Sequence, residues 1–177
     1  RVSLITGAVN VIPLFVPDTQ TRLSVEQFAA QRHGRRELTG QLLDCWRRQA
    51  THDSVNDEPI QFNFSQPIWG ELPRLSVDFP RVSSVQLEGH RATHGVDGFL
   101  QGFSGLRRLA LRNFNLGQLP EAVAQWPWLS ELILSDCAIT LTERDQITLA
   151  AIRHLQVLDL YNNPLGSGFS LANMPDL

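Results

Sequence analysis

The chain has 177 residues, of which 42% are hydrophobic, and its formal net charge is −3. This length suits one domain, or one domain with a small appendage, and the hydrophobic content argues against wholesale disorder. The slight acidity argues against a nucleic-acid surface, and the lack of an apolar run of about 18 residues predicts no membrane-spanning helix. The two cysteines, Cys45 and Cys137, form no disulfide framework and indicate a reducing compartment.

Residues 1–56 show no internal repeat and are predicted to form an N-terminal segment of strands and helices. Residues 1–16 contain many β-branched side chains and predict one or two strands, which Pro13 and Pro17 interrupt or end. Residues 24–33 begin with a capping-box pattern and are therefore predicted to form a helix.

Residues 37–49 are predicted to form a second, amphipathic helix. Its apolar side chains recur at helical spacing along one face: Leu38, Leu42, Cys45 and Trp46. A repeat protein must cover its first repeat, so we expect this helix to be an N-terminal cap, with a partner-binding helix as the alternative. Residues 51–59 are polar and rich in turn-forming residues, and they predict a linker.

From residue 57 to residue 177 a leucine pattern repeats. Four segments read apolar-x-x-apolar-x-apolar, and their starts are 24, 23 and 26 residues apart: residues 82–87, 106–111, 129–134 and 155–160. This pattern is typical of leucine-rich repeats, whose period is 20–29 residues. The sequence therefore predicts an α/β leucine-rich-repeat solenoid of about four to five units, with a parallel strand ladder on its concave face and short helices or turns on its convex face.

The units are not identical. Residues 60–64 fit a degenerate earlier unit, in which Ile60 and Phe62 lie 25 residues before Val85 and Leu87. The turn position that asparagine usually fills is occupied in successive units by His90, Phe114, Cys137 and Asn163. Because only the last of these is an asparagine, we expect an irregular ladder in the first two units.

Two return segments carry helix signals. Pro120 lies near the start of residues 116–125 and predicts a short helical turn. Residues 141–155 predict a longer helix, with Thr142 as the N-cap and acidic side chains in the first turn.

No residue set predicts a catalytic, cofactor or metal site. Cys45 could be a nucleophile with a histidine nearby in sequence, but a core thiol beside a tryptophan explains it better. His90 and His94 have a zinc-like spacing, yet they fall in a turn after a strand and lack a third ligand in the sequence, so we expect no metal there. Residues 63–65 match a glycosylation sequon, which the cysteine usage argues against.

The strand faces that point away from the leucines are the candidate site. Equivalent positions of successive units form columns, and strands about 4.8 Å apart would let Arg112 meet Glu88 and Arg108 meet Glu131. A solvated charge ladder is the alternative to a protein-binding surface. We predict that a protein partner contacts these residues of the concave face: Glu88, Arg108, Arg112, Asn113, Glu131, Asp136, Asp159 and Tyr161.

Four segments carry a family resemblance: "LLDCWRR" at 42–48, "ELPRL" at 71–75, "QLPEAV" at 118–123 and "YNNPLG" at 161–166. With the repeats, they resemble the leucine-rich-repeat part of bacterial effector and toxin-like proteins, in which the repeats precede a novel E3 ubiquitin ligase (NEL) domain. The resemblance implies a substrate-binding module that is made in the bacterial cytoplasm, secreted into a host cell and directed at a host protein.

The ligase part of that family uses a cysteine in a Cys-x-Asp context. Cys45 is followed by Trp46 and Arg47, and Cys137 by Ala138 and Ile139, so no catalytic residue is carried over. Whether the parent protein is an enzyme stays open. The alternatives are a non-enzymatic leucine-rich-repeat binding or scaffold protein and a small enzyme built on the N-terminal segment.

The two ends of the sequence suggest a piece of a longer protein. The chain begins with arginine and stops at "MPDL", which reads as the middle of a pattern. We therefore expect the last strand to be an uncovered edge, through which the fragment could self-associate.

Overall fold

The computed structural model of the chain describes residues 25–50, 59–66, 68–166, 168–170, 174 and 177. The strands predicted within residues 1–16 and nearly all of the predicted linker lie outside the described residues. The described chain is a mixed α/β structure with a five-stranded, all-parallel sheet and few helices. None of the described helices is long and apolar enough to cross a membrane.

The elements follow one another in this order: α1 (Val25–Ala50), β1 (Ile60–Phe64), β2 (Gly70–Glu71), β3 (Val82–Glu88), β4 (Thr93–His94), α2 (Val96–Leu100), β5 (Arg108–Arg112), a 3-10 helix (Glu121–Gln125), β6 (Glu131–Ser135), α3 (Glu143–Ala150) and β7 (Val157–Asp159). The main sheet has the order β1-β3-β5-β6-β7, and β2 pairs with β4 in a small second sheet. Strands that follow each other in the predicted repeats are therefore neighbours in space.

Helix α1 is one continuous helix of 26 residues, so the break expected between two helices is absent. A glycine inside a helix costs only about 1 kcal/mol, and packing of the apolar face offsets that cost. Leu38, Leu42 and Cys45 are buried, and the Trp46 ring meets Phe79 edge to face at 5.8 Å. The helix contacts β1, the first strand of the sheet, as expected of a cap.

The leucines of the repeat form the core beneath the sheet. In β5 and β6 both core leucines are fully buried, and the register places Leu109 beside Leu132 and Leu111 beside Leu134. Leu158 in β7 follows the same register but is only half-buried, because no described strand lies beyond it. The predicted stacking of the leucines across neighbouring strands is confirmed for β3 to β7.

The register predicted for β1 is wrong by two residues. Phe62 pairs with Val85, not with Leu87, and the register shifts between Ile60 and Gln61. Because side chains alternate with a period of two, both alignments bury the same face, and packing decides between them. Here the Phe62 ring lies 5.9 Å from the Phe99 ring. The irregularity expected in the units of β3 and β5 is absent, because these two strands pair without a break, and the register shift lies one unit earlier, between β1 and β3.

The turns that follow the strands depend on which residue fills the turn position. Asn163 accepts hydrogen bonds from the backbone N–H groups of Cys137 and Ile139, at 3.0 and 3.1 Å. Its amide group donates to the backbone carbonyl of Leu134 at 2.6 Å and to those of Leu160 and Tyr161. Asn163 therefore ties two successive turns together, as the asparagine position predicts.

The helical signals in the return segments are confirmed. Thr142 caps α3, and its side chain and that of Asp145 form a reciprocal capping box. The helix ends at Ala150, five residues before the predicted end. Pro120 is the N-cap residue of the 3-10 helix.

Candidate protein-binding surface

The side of the main sheet opposite the leucine core is termed the open face. Its side chains come from alternate positions of the five strands: Gln61, Asn63, Ser84, Gln86, Glu88, Arg108, Ala110, Arg112, Glu131, Ile133, Ser135, Val157 and Asp159. The pairing registers place these residues in rows that run across the strands. The rows match the predicted columns, which follow directly from the repeat spacing.

One row is joined by an ion pair at Arg108. The Arg108 Nε atom lies 3.0 Å from Glu131 Oε2, and the two side chains are 31% and 40% exposed. The other side of the guanidinium donates to Gln86 Oε1 at 3.4 Å. The predicted contact between Arg108 and Glu131 is confirmed, and Arg108 is held by side chains of both neighbouring strands.

A second row runs through Glu88, Arg112 and Ser135. Arg112 donates from Nη1 to Ser135 Oγ at 3.1 Å. Although Glu88 is its register partner on the other side, the two form no ion pair within the described residues, contrary to expectation. Ser135 is only 2% exposed, so its hydroxyl gains more from a hydrogen-bond partner than the solvated Glu88 carboxylate does.

Tyr161 continues this second row just past the end of β7. Its side chain is 71% exposed, so the ring is presented to solvent. The backbone beneath it is held on both sides, since the Tyr161 N–H donates to Asp159 Oδ1 at 2.9 Å and the Tyr161 carbonyl accepts from the Asp136 N–H at 3.0 Å. Asp159 is therefore engaged in holding this turn.

A third row consists of turn residues with a left-handed backbone. Asn113, Asp136 and Asn162 have φ values of 64°, 55° and 54°, a conformation that asparagine and aspartate tolerate better than most residues. The Asn113 amide donates to the Gly89 carbonyl at 3.3 Å, and the Asn162 amide donates to the Asp136 carboxylate. The polar groups of Asn113 and Asp136 thus already have partners inside the turns.

These rows gather the eight predicted residues at the open face and its adjoining turns. Arg108, Glu131, Asp136, Asp159 and Asn113 make hydrogen bonds or ion pairs within the protein. No family model, curated protein or solved structure matches this chain. The open face and its adjoining turns present charged, amide-bearing and aromatic side chains to solvent.

The cysteines lie in the core. Burial raises the pKa of the Cys45 thiol to about 11, and burial likewise raises the pKa of the Cys137 thiol to about 11. The Cys137 sulfur lies 3.2 Å from the Ser135 carbonyl oxygen and 3.5 Å from that of Leu111, which its thiol can donate to. Thiols held in the neutral form inside a core are poor nucleophiles.

His90, the first histidine of the zinc-like pair, contacts neighbouring residues of the protein. His90 Nε2 lies 3.2 Å from the Trp69 indole nitrogen and His90 Nδ1 lies 3.2 Å from the Ala92 N–H nitrogen, and the neutral ring accepts a hydrogen bond at one of these two nitrogens at a time. Within the residues that the structure describes, no three histidine, cysteine or acidic side chains are grouped as metal ligands. The backbone and ring of His90 take part in hydrogen bonds within its own turn.

Sequence reasoning missed an exposed aromatic pair beside the sheet. Trp128 is 58% exposed and stacks on the His154 ring, with centroids 4.8 Å apart. Each of these residues directly precedes the first leucine of a unit, Leu129 or Leu155. The repeat alignment therefore contained the signal, because equivalent positions in neighbouring units lie side by side.

Proposed function

We propose that this chain is a protein-recognition module of the leucine-rich-repeat type and that the open face is its concave binding surface. The observation that carries the proposal is the regular row structure of that face. Charged and aromatic side chains stand on hydrogen-bonded parallel strands above a buried leucine core. Binding sites built on rigid elements lose little conformational entropy when a partner docks.

The repeat architecture rests on three observations of the described chain. The strands are parallel and adjacent in sequence order, the core leucines align across them, and the turn after each of β5, β6 and β7 contains a left-handed asparagine or aspartate. Asn163 binds backbone groups of two successive turns, as the repeat pattern predicts. These features support a leucine-rich-repeat solenoid.

The wider context is a second part of the proposal. The motifs that resemble the NEL group suggest that the module selects a host protein for a ligase further along the parent protein, in a bacterial effector secreted into the host cell. A non-enzymatic leucine-rich-repeat scaffold is the alternative. Sequencing the parent gene past Leu177 separates them, since a helical region with Cys-x-Asp supports the ligase and further repeats up to a stop codon support the scaffold.

Binding through the open face is tested with peptides selected from a random displayed library against the folded chain. We expect amide NMR signals of the open face to shift on binding. The double variant Arg108→Glu/Arg112→Glu should weaken the selected peptides by about tenfold or more. The matched control Arg144→Glu/Arg153→Glu changes the net charge equally at exposed positions away from the face and should bind like wild type.

Ligands whose shifts map elsewhere on the chain, or affinity that survives the double variant, would refute the placement of the site.

Self-association is a separate prediction. β7 is an edge of the main sheet in the described chain, and an exposed edge can pair with a second copy. Sedimentation velocity over a range of concentrations measures it.

A further inference from the structure

We infer that Arg112 is the electrostatic centre of the open face, and that its ligand is an extended peptide segment presenting a carboxylate to Arg112 and an apolar side chain to Tyr161. This inference rests on the proposed function and specifies the chemistry of the partner. It is based on the difference between the two arginines of β5.

Arg108 is already neutralised. Its guanidinium lies between Glu131, at 3.0 Å, and the Gln86 amide oxygen, at 3.4 Å. A ligand carboxylate would have to displace Glu131 to reach it, and would be repelled by that residue until it did. Arg108 is therefore a poor anchor for an anion.

Arg112 differs because it contacts a neutral group. The one side-chain hydrogen bond of Arg112 within the described chain goes to the Ser135 hydroxyl at 3.1 Å, and a guanidinium carries five N–H donors. The side chain is exposed, so its remaining donors can reach a ligand. A carboxylate is the group that matches the planar donor pair of an arginine, through two parallel hydrogen bonds.

The surroundings hold Arg112 in place before a ligand arrives. Ser135 is 2% exposed, so its hydroxyl has little freedom, and Ala110, two residues before Arg112 on the same face, is fully buried. Arg112 thus stands beside two tightly packed residues of the open face. A side chain ordered in advance loses less entropy on binding than a free one.

Glu88 opposes an acidic ligand. It is exposed and is the register partner of Arg112 on β3, although it does not pair with it. Its charge repels an incoming carboxylate and can also compete for Arg112. Removal of the Glu88 charge should therefore strengthen binding of an acidic ligand to Arg112. Removal of Glu131 would instead break the ion pair of Arg108.

Tyr161 sets the spacing that the ligand needs. It stands in the same row as Arg112, two strands away, and neighbouring strands lie about 4.8 Å apart, so the backbone positions of the two residues are about 10 Å apart. An extended peptide rises about 3.3 Å per residue and its side chains alternate between two faces, so a separation of four residues, about 13 Å, keeps both contact groups toward the sheet and within reach of these long side chains. The ligand motif is an aspartate or glutamate four residues from an aromatic or aliphatic residue.

The test is an NMR titration of the isotopically labelled chain with the peptide acetyl-Ser-Glu-Thr-Ser-Thr-Phe-Ser-amide, in which Glu and Phe are four residues apart. Two comparison peptides replace its Glu by Gln or move its Phe next to the Glu. We expect the first peptide to shift the signals of Arg112, Ser135 and Tyr161 and to bind more tightly than either comparison peptide. Equal binding of the Gln peptide would overturn the inference.

Single variants then separate the two arginines. Arg112→Gln should weaken the first peptide by about tenfold, Arg108→Gln should weaken it less than Arg112→Gln does, and Glu88→Gln should raise its affinity severalfold. Arg112→Lys keeps the charge but not the paired donors, and we expect it to bind between wild type and Arg112→Gln. An equal loss in Arg108→Gln and Arg112→Gln, or no gain in Glu88→Gln, would overturn the inference.

Failure of this inference is distinguishable from failure of the proposed function. If library-selected peptides bind the open face but lack the acidic motif and ignore Arg112→Gln, only the partner chemistry is wrong. If they bind elsewhere, both proposals are wrong. Thermal melts of every variant show whether a lost affinity reflects a lost fold.

Discussion

Asn163→Ala is the perturbation that tests how successive turns are held together. The substitution removes the oxygen that accepts from the N–H groups of Cys137 and Ile139, and the amide that donates to three carbonyls. Each backbone N–H that loses its partner in a poorly solvated site costs about 1–3 kcal/mol. Asn163 is half-buried, so water replaces part of what is lost.

Two such groups give a range of about 2–6 kcal/mol, and because water replaces part of the lost bonds we expect a loss in the lower half of that range, about 3 kcal/mol of unfolding free energy. For a chain of this size that corresponds to a fall in Tm of roughly 6–12 °C. Urea unfolding followed by tryptophan fluorescence and by circular dichroism measures the free energy of unfolding, and a thermal melt measures Tm.

Asn115→Ala is the matched control. Asn115 is also an asparagine in a turn after a strand, but it is exposed and should change stability by less than about 0.5 kcal/mol. A loss in Asn163→Ala as small as that of the control would refute the reasoning, because the bonds to the two turns would then contribute nothing measurable.

Three further predictions concern the core. Leu132→Asp places a charge at a fully buried position and should unfold the sheet, with loss of the far-ultraviolet circular dichroism signal. Since burial raises the pKa of the Cys45 and Cys137 thiols from 9.0 to about 11, the unfolded chain releases their protons first, and stability should fall as pH rises from about 9 to about 11. Gly89→Ala should lower Tm, because its Cβ would lie 2.5 Å from the buried Phe114 ring.

Each of these predictions has an internal comparison. Ile133→Asp changes the next residue, which faces the open side, and should remain folded; equal unfolding of both variants would contradict the assigned strand faces. Replacement of Cys45 and Cys137 by alanine should flatten the alkaline decline, and an unchanged decline would assign it to other groups. Gly40→Ala lies in helix α1 with open space around it and should raise stability by up to about 1 kcal/mol, whereas the same gain in Gly89→Ala would show that Phe114 moves freely.

Local patterns predicted the strands and their faces well because both depend on spacing alone. The pairing of Arg108 with Glu131 follows from repeat lengths and from the period of two along a strand. The cap of α3 at Thr142 could also be predicted, since its hydrogen bonds are made within one helical turn.

Contacts between distant residues could not be predicted in the same way. The two alignments of β1 bury the same face, and they differ in how Phe62 packs against distant residues such as Phe99 and Phe103. Glu88 and Ser135 are both register partners of Arg112, and the burial of Ser135 favours a hydrogen bond to its hydroxyl over an ion pair with Glu88. The repeat alignment places Trp128 beside His154, but the stacking of their rings is visible only in the folded chain.

The sequence by itself determined the repeat length, the buried leucines and the set of residues on the open face, because repeat and strand periodicity act on every unit alike. The tertiary structure decided the register of β1, the continuity of α1 and the partner of each charged side chain. These choices depend on differences of about a kcal/mol between alternatives that satisfy the same pattern, so burial and packing across the folded chain select among them.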